Sequence, residues 1–386
     1  MQTTGDQFLV KKINKSIVLE KIRTESPLSR AQVSELTGLN KGTVSALVGE
    51  LIGDHLVYEI GLGQSSGGRK PVMLHFHKTA GYAVGIELGV TFILTVLTDL
   101  EGHIVAEQRL PLDVKQPDEV FERLVQQVRA LLDRAPQSPY GIIGIGIGVP
   151  GIVDASGTIL FAPNLQWESF PLKIKLEQEF GLPVTIDNEA NVGALGEKQY
   201  GAGQTSDDLI YLSVSTGVGS GIILGGRLFR GASGFSGEIG HTSIEVNGRR
   251  CSCGNRGCLE LYASEGALLE QAASMGIDSF DQLVERAEAG APEALQLFRQ
   301  TGEYLGIGIA NIINSFNPGL ILIGGQMVGA EAWLRNPVQR VVRQRSLPYH
   351  REGLEIRFAS LKMHSAVLGA AYYAISAFLY KDRVTL

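Results

Sequence analysis

Cys251, Cys253 and Cys258 are the three cysteines of the 386-residue chain, and they fall within eight positions. His241 lies ten residues before the first of them. Three thiolates and one imidazole make a full tetrahedral zinc set with no position left open for substrate, so the expected metal is structural Zn²⁺. A disulfide with a spare thiol is the competing reading. An odd, tightly clustered set beside a histidine favours metal. No signal-like apolar run opens the chain, and a cytoplasmic location, where disulfides are rare, is the expectation. Glu238 and Glu260 flank the cluster, so building the metal site also brings two carboxylates together.

Other polar residues stand at the ends of apolar runs: Asn164, Asn188 and Glu189. With Glu238, His241 and Glu260 they supply the carboxylates, amides and imidazole that paired sugar hydroxyls require. Scattered surface polarity is the competing reading. Glycine-rich turns follow several strand-like runs, as in Gly148-Val-Pro-Gly151 and Ser215-Thr-Gly-Val-Gly-Ser-Gly221. Such turns can cradle phosphate or serve close packing, and each alone supports both readings.

The elements that must position these groups are legible from pattern. From Gly81 onward strand runs and helices alternate, which indicates an α/β class. Residues 82–91 and 92–102 read as a hairpin, residues 117–132 as an amphipathic helix, and residues 209–221 as a strand with a glycine turn. Apolar residues are 44% and charged residues 19% of the chain, ordinary for a globular protein. No apolar stretch has the length of a membrane span.

Residues 1–80 carry ten Lys/Arg against seven Asp/Glu, and the remainder 24 against 33. A mildly basic head on an acidic body is compatible with nucleic-acid contact. Ile13, Ile17, Val18 and Ile22 form a helical stripe. Ser29 caps a second helix containing Ala31, Val33 and Leu36. Asn40 caps a third, with Val44, Leu47, Val48 and Leu51 facing inward. The pair reads as a helix-turn-helix, followed by two strands (residues 56–60 and 72–76) around a Gly-rich tip, a wing. The candidate DNA-contacting residues are Ser29, Gln32, Asn40, Lys41, Thr43, Ser45, Arg69 and Lys70. Lys41, Thr43 and Ser45 would face base edges, and Arg69 and Lys70 the phosphates or a narrow minor groove. A head that contacts protein rather than DNA is the alternative.

The body resembles the ROK family of bacterial sugar kinases and repressors. The motifs that carry this are Gly148-Val-Pro-Gly151, Pro163-Asn-Leu165, Asp187-Asn-Glu-Ala-Asn191, the 215–221 turn, Gly237-Glu-Ile-Gly-His241, the cysteine run ending at Glu260, and the 314–325 segment. The resemblance implies an actin-like, hexokinase-like body of two lobes behind the winged helix-turn-helix head. The expected division is a head over residues 1–78, a first lobe over 79–190 completed by 366–386, and a second lobe over 191–365 with the zinc site. It implies zinc on His241, Cys251, Cys253 and Cys258, and sugar hydroxyls on Asn188, Glu189, Glu238, His241 and Glu260. Together with the winged head it also implies a homodimer on palindromic operator DNA, released by D-xylose; the extra methylene of Glu189 adds the expectation that glucose is a weak ligand.

Departures from the family pattern bear on catalysis. The first phosphate loop of the kinases reads Asp-x-Gly-Gly-Thr-Lys, whereas this chain has Glu87-Leu-Gly-Val-Thr-Phe92. The base of the kinases is an aspartate where this chain has Glu189, and Ser215 replaces a glycine in the second loop. A carboxylate displaced by ~1 Å can cost on the order of 10²-fold in rate. The expectation is a kinase scaffold without turnover and with no catalytic residue. An active sugar kinase with a regulatory head is the alternative.

Overall fold

The structure, a computed structural model, describes residues 7–62 and 70–380. Arg69 lies outside the described residues. The head contains α1 (Gln7–Glu25), β1 (Leu28–Ser29), α2 (Arg30–Thr37), α3 (Lys41–Gly53), β2 (Val57–Leu62) and β3 (Val72–Phe76). Its strands form a small sheet in the order β1-β3-β2. Ser29 begins α2 with a reciprocal capping box: its hydroxyl accepts from the Gln32 amide, and the Gln32 side chain accepts from the Ser29 amide. Asn40 begins α3 by accepting from the Thr43 amide at 2.8 Å. Val44, Leu47, Val48 and Leu51 are buried as their spacing requires. Three apolar residues of the expected helices depart from this. Ile17, Ala31 and Leu36 are exposed, because the face of α1 that meets the head core runs through Val18, Leu19 and Ile22, and α2 is short enough to bury Val33 alone.

The body opens with β4 (Tyr82–Leu88), β5 (Phe92–Asp99) and β6 (Ile104–Pro111), then α4 (Pro117–Leu132) and β7 (Ile142–Val149). A small sheet of β8 (Ile152–Val153), β9 (Ile159–Ala162) and β10 (Trp167–Phe170) follows, then α5 (Leu172–Phe180), β11 (Val184–Asn188) and α6 (Glu189–Tyr200). The second half contains β12 (Leu209–Val214), β13 (Val218–Leu224), β14 (Arg227–Leu228), α7 (Glu260–Ala263), α8 (Glu265–Ala272), α9 (Phe280–Glu288), α10 (Pro292–Phe316), β15 (Leu320–Gly324), α11 (Glu331–Arg345), β16 (Glu355–Phe358) and α12 (Ser365–Leu379).

The two large sheets run β11-β7-β4-β5-β6 and β16-β15-β12-β13-β14. In each, three strands are parallel and the last two antiparallel. The β4–β5 turn of one sheet is therefore equivalent to the β12–β13 turn of the other. This internal repeat left no visible mark in the sequence, because it is a repeat of strand order rather than of residues.

α12 lies on the first sheet against β4 and β7, and α6 lies between α12 and the second sheet. The contact is tight enough to require glycine. A Cβ on Gly146 of β7 would sit 1.8 Å from the Ala370 carbonyl oxygen, and one on Gly85 of β4 2.2 Å from that of Val367. These two glycines serve helix–sheet packing, not phosphate binding. α6 and α12 cross just as closely, with a Cβ on Gly369 falling 1.7 Å from the Val192 carbonyl oxygen.

The head is not tethered loosely. Val18, Ile22, Leu47 and Leu51 share one apolar cluster with Ala83, Leu100 and Ile143 of the first sheet and its turns, and with Ala374, Ile375 and Leu379 of α12. Tyr140 donates to the Asp54 carbonyl oxygen just past α3 at 2.6 Å and stacks edge-on against Phe378. Among the described residues no helix is long and apolar enough to cross a membrane.

Candidate ligand cleft and metal cluster

The β4–β5 and β12–β13 turns face each other across a cleft of about 470 Å³. That is within the range of small-molecule sites. Asn164, Asn188, Glu189, Glu238, His241 and Glu260 all line it. The sequence alone scatters them over about a hundred residues; the fold brings all six together.

Several are held by neighbours. Asn188 caps α6, accepting from the Ala190 amide at 2.8 Å and donating to the Gly151 carbonyl at 3.0 Å. One amide proton and one lone pair remain for a ligand. The Glu189 carboxylate accepts from the Ser213 hydroxyl at 3.3 Å, and burial raises its pKa. Glu238 and His241 flank the short 3₁₀ turn Ile239–His241, which lies directly on β13: a Cβ on Gly240 would sit 2.0 Å from the Val218 carbonyl oxygen.

His241 faces two ways. Its Nδ1 lies 3.7 Å from Cys251 Sγ, and its Nε2 lies 3.9 Å from the Glu238 carboxylate. Cys253 and Cys258 sulfurs are 3.7 Å apart, and the four ligand atoms lie within 4.8 Å of one another. Zn–S bonds of about 2.3 Å place tetrahedral ligands about 3.8 Å apart, so the geometry fits a tetrahedral ion. Burial pushes the Cys251 thiol up to about 12, and the hydrogen bond to Glu260 adds to this. A cation supplies the charge that three adjacent thiolates need. Glu260 sits between the two features, one carboxylate oxygen 3.1 Å from Cys251 Sγ and the other beside Gly217 of the cleft.

The phosphate side of the cleft is altered. The Phe92 ring lies over the β4–β5 turn, so close that a Cβ on Gly89 would meet it at 2.8 Å, and the Arg109 guanidinium covers the ring 4.7 Å from its centroid. The Ser215 hydroxyl accepts from the Gln326 amide at 3.3 Å, tying the second turn to the loop after β15. Five glutamates line the cleft (87, 189, 238, 260 and 265), and among the described residues no lysine or arginine does. Such a lining suits neutral hydroxyls and opposes phosphate. Burial, aided by Glu189, pushes Glu87 up to about 8 against the opposing pull of Arg109. Asp187 is turned away from the cleft and is no substitute base. It accepts from Asn191, Tyr373 and Arg230.

On the head, Asn40, Lys41 and Ser45 are exposed at the start of α3, and Thr43 is half-buried. Gln32 is exposed on α2, and Lys70 is exposed at the wing. Ser29 departs from expectation. It is buried, and its hydroxyl is committed to the capping box, so its side chain is withdrawn from the DNA-facing set. Glu265, Arg230 and Tyr373 were not singled out from the sequence. Glu265 lines the cleft at the start of α8, and no local spacing marks any of the three.

A winged head on a two-lobed, sugar-kinase-like body defines the class. The chain belongs to the ROK family, whose model matches residues 83–377. It is 45% identical over 376 residues to the xylose repressor of Bacillus spizizenii, covering 97% of this chain and 98% of that protein. It is 44% identical over 386 residues to the xylose repressor of Bacillus subtilis, covering 99% of each. Among solved structures it is similar to a ROK family transcriptional regulator homologous to the E. coli MLC protein, with a TM-score of 0.82, 30% identity, and coverage of 97% and 98%. A ROK family glucokinase from Streptomyces griseus, in complex with glucose and AMPPNP, matches 75% of this chain and 98% of its own, with a TM-score of 0.68 and 32% identity.

Proposed function

We propose that this protein is a sugar-responsive transcriptional repressor that binds operator DNA through its winged head and releases it when D-xylose enters the cleft. One observation carries the reading: the six amide, carboxylate and imidazole side chains line one cleft, while the Phe92 ring lies over its β4–β5 turn. The names of the two Bacillus relatives support D-xylose as the ligand. In this reading Asn164, Asn188, Glu189, Glu238, His241 and Glu260 meet sugar hydroxyls. Gln32, Asn40, Lys41, Thr43, Ser45 and Lys70 meet DNA, as does Arg69, which lies outside the described residues. The head spans residues 1–78, the first lobe 79–190 with 366–386, and the second lobe 191–365. The protein acts as a cytoplasmic homodimer on a palindromic site, glucose binds weakly, and no residue has a catalytic role.

Sugar bridges the two lobes, and their closure shifts the heads of the dimer relative to half-sites one or more helical turns apart. A ~100-fold release requires about 2.7 kcal/mol of coupling, an ordinary allosteric magnitude. Operator binding titrated with pentoses and hexoses tests the reading. Release by D-xylose is expected, and sugar-independent binding, or phosphoryl transfer at about 1 s⁻¹ or faster, would overturn it.

The metal is Zn²⁺ in this proposal, held by His241, Cys251, Cys253 and Cys258. It fixes the loop that carries Glu238 and Glu260 and leaves the second nitrogen of His241 for sugar. Elemental analysis should find one zinc per chain. Cys253→Ser should lose both the zinc and the sugar response.

A further inference from the structure

Asp187, which the ligand cleft does not use, joins three separate parts of the molecule. It is buried near the end of β11. Its Oδ1 accepts from the turn into α6 that follows it, from the Asn188 amide at 2.7 Å and Asn191 Nδ2 at 2.9 Å. Its Oδ2 accepts from the Tyr373 hydroxyl at 2.8 Å and from Arg230 at 2.5 Å. Arg230 also donates to the Tyr373 hydroxyl. Tyr373 belongs to α12, and Arg230 to the loop after β14 in the other lobe.

We infer that Arg230, Asp187 and Tyr373 form an interlobe latch that passes the state of the cleft to the head along α12, with Arg230 and Tyr373 acting as positioning residues. This rests on the repressor reading and names the device by which that site would act. The latch ties the same two segments that a ligand would bridge: Asn188 follows Asp187, and the loop that begins near Arg230 ends at Glu238. Tyr373 directly precedes Ala374 and Ile375, which with Leu379 are part of the head's apolar cluster. A shift of the Arg230 loop therefore acts on a helix whose far end is packed into the head. Breaking the contact leaves the buried Asp187 carboxylate without its charged partner, so a shift of the Arg230 loop carries a definite cost. A two-state element biased from both ends is what coupling between distant sites requires.

The test uses the full chain and a DNA duplex selected by the protein itself from a random-sequence pool. Operator Kd is measured with and without saturating D-xylose in the wild type, Arg230→Gln, Arg230→Lys and Tyr373→Phe. The ratio of the two Kd values reports coupling and not folding, and the ratio of sugar Kd values with and without DNA must agree with it. The expected result is a ratio at least tenfold smaller in Arg230→Gln and Tyr373→Phe, with part of it restored in Arg230→Lys. Ratios within threefold of wild type in both variants overturn the latch. A wild type that does not respond to D-xylose instead sinks the repressor reading. In that case hydrogen exchange decides the latch: Tyr373→Phe should speed exchange of the α12 amides beyond residue 373 and of α3 at least tenfold, and unchanged exchange overturns it.

Discussion

Glu189 combines two constraints: its carboxylate is tied to Ser213, and it lines the cleft. In the proposed reading the extra methylene relative to aspartate would occupy the volume that a pentose, lacking a hydroxymethyl group, leaves empty. The same methylene would crowd a hexose. A methylene-sized difference is worth about 1–3 kcal/mol, or roughly 10–200-fold. Glu189→Asp should narrow the preference for xylose over glucose, and calorimetry with both sugars on both proteins checks it; an unchanged ratio places selectivity elsewhere. Glu87 makes a different prediction. Its folded pKa is raised to about 8 by burial and by Glu189. Through the range from about pH 5 to pH 8 the folded chain therefore keeps a proton that the unfolded chain has lost, and stability falls as pH rises. Glu87 is only half-buried and lines the cleft, so solvent screening reduces the effect. Glu87→Gln should gain stability relative to wild type between about pH 5.5 and about pH 8, read as a urea midpoint. Parallel profiles for the two proteins would show that Glu87 ionises as an ordinary carboxylate.

At the scale of elements, the proposed reading divides the work of binding between α3 and the wing. Exposed Lys70 can neutralise a phosphate, so Lys70→Ala should weaken all duplexes alike and flatten the plot of log affinity against log salt by about 0.9. Changing Thr43 should alter which bases are preferred and leave the salt slope in place. Selection from a random-sequence pool, repeated at two salt concentrations, separates the two outcomes. Elements with strong period and clear ends were legible in the sequence: the 117–132 helix coincides with α4, and the two wing strands fall at β2 and β3. The side that faces inward was less so. Ile17 has the right spacing for a buried stripe, yet α1 is rotated to present Leu19 instead. Part of the polar cleft was legible because its groups stand where apolar runs end: Asn188 closes β11, Glu189 opens α6 and Glu260 opens α7. Arg230 and Tyr373 were not, since they meet Asp187 from 43 and 186 positions away in the chain. Nothing in their own neighbourhoods distinguishes them from any exposed arginine or helical tyrosine.

At the scale of the molecule, the repeated sheets give two stiff halves, with α6 and α12 crossing between them. Gly369 sits at that crossing without room for a side chain. Any residue there must push the helices apart, so Gly369→Val should lower the melting temperature and blunt the sugar response together. A variant with normal stability and a normal response would show that the crossing is more compliant than its spacing suggests. The apolar cluster shared by α1, α3, the first sheet and the end of α12 has a different consequence. It makes the DNA-binding part a poor candidate for exchange. A chimera that takes residues 1–78 from a relative and keeps this body would set foreign side chains against Ile375 and Leu379, with a mismatched seam in place of a packed one. Specificity for a new operator would then transfer only when the last turns of the C-terminal helix travel with the head. The portable unit is discontinuous in sequence, made from the two opposite ends of the chain.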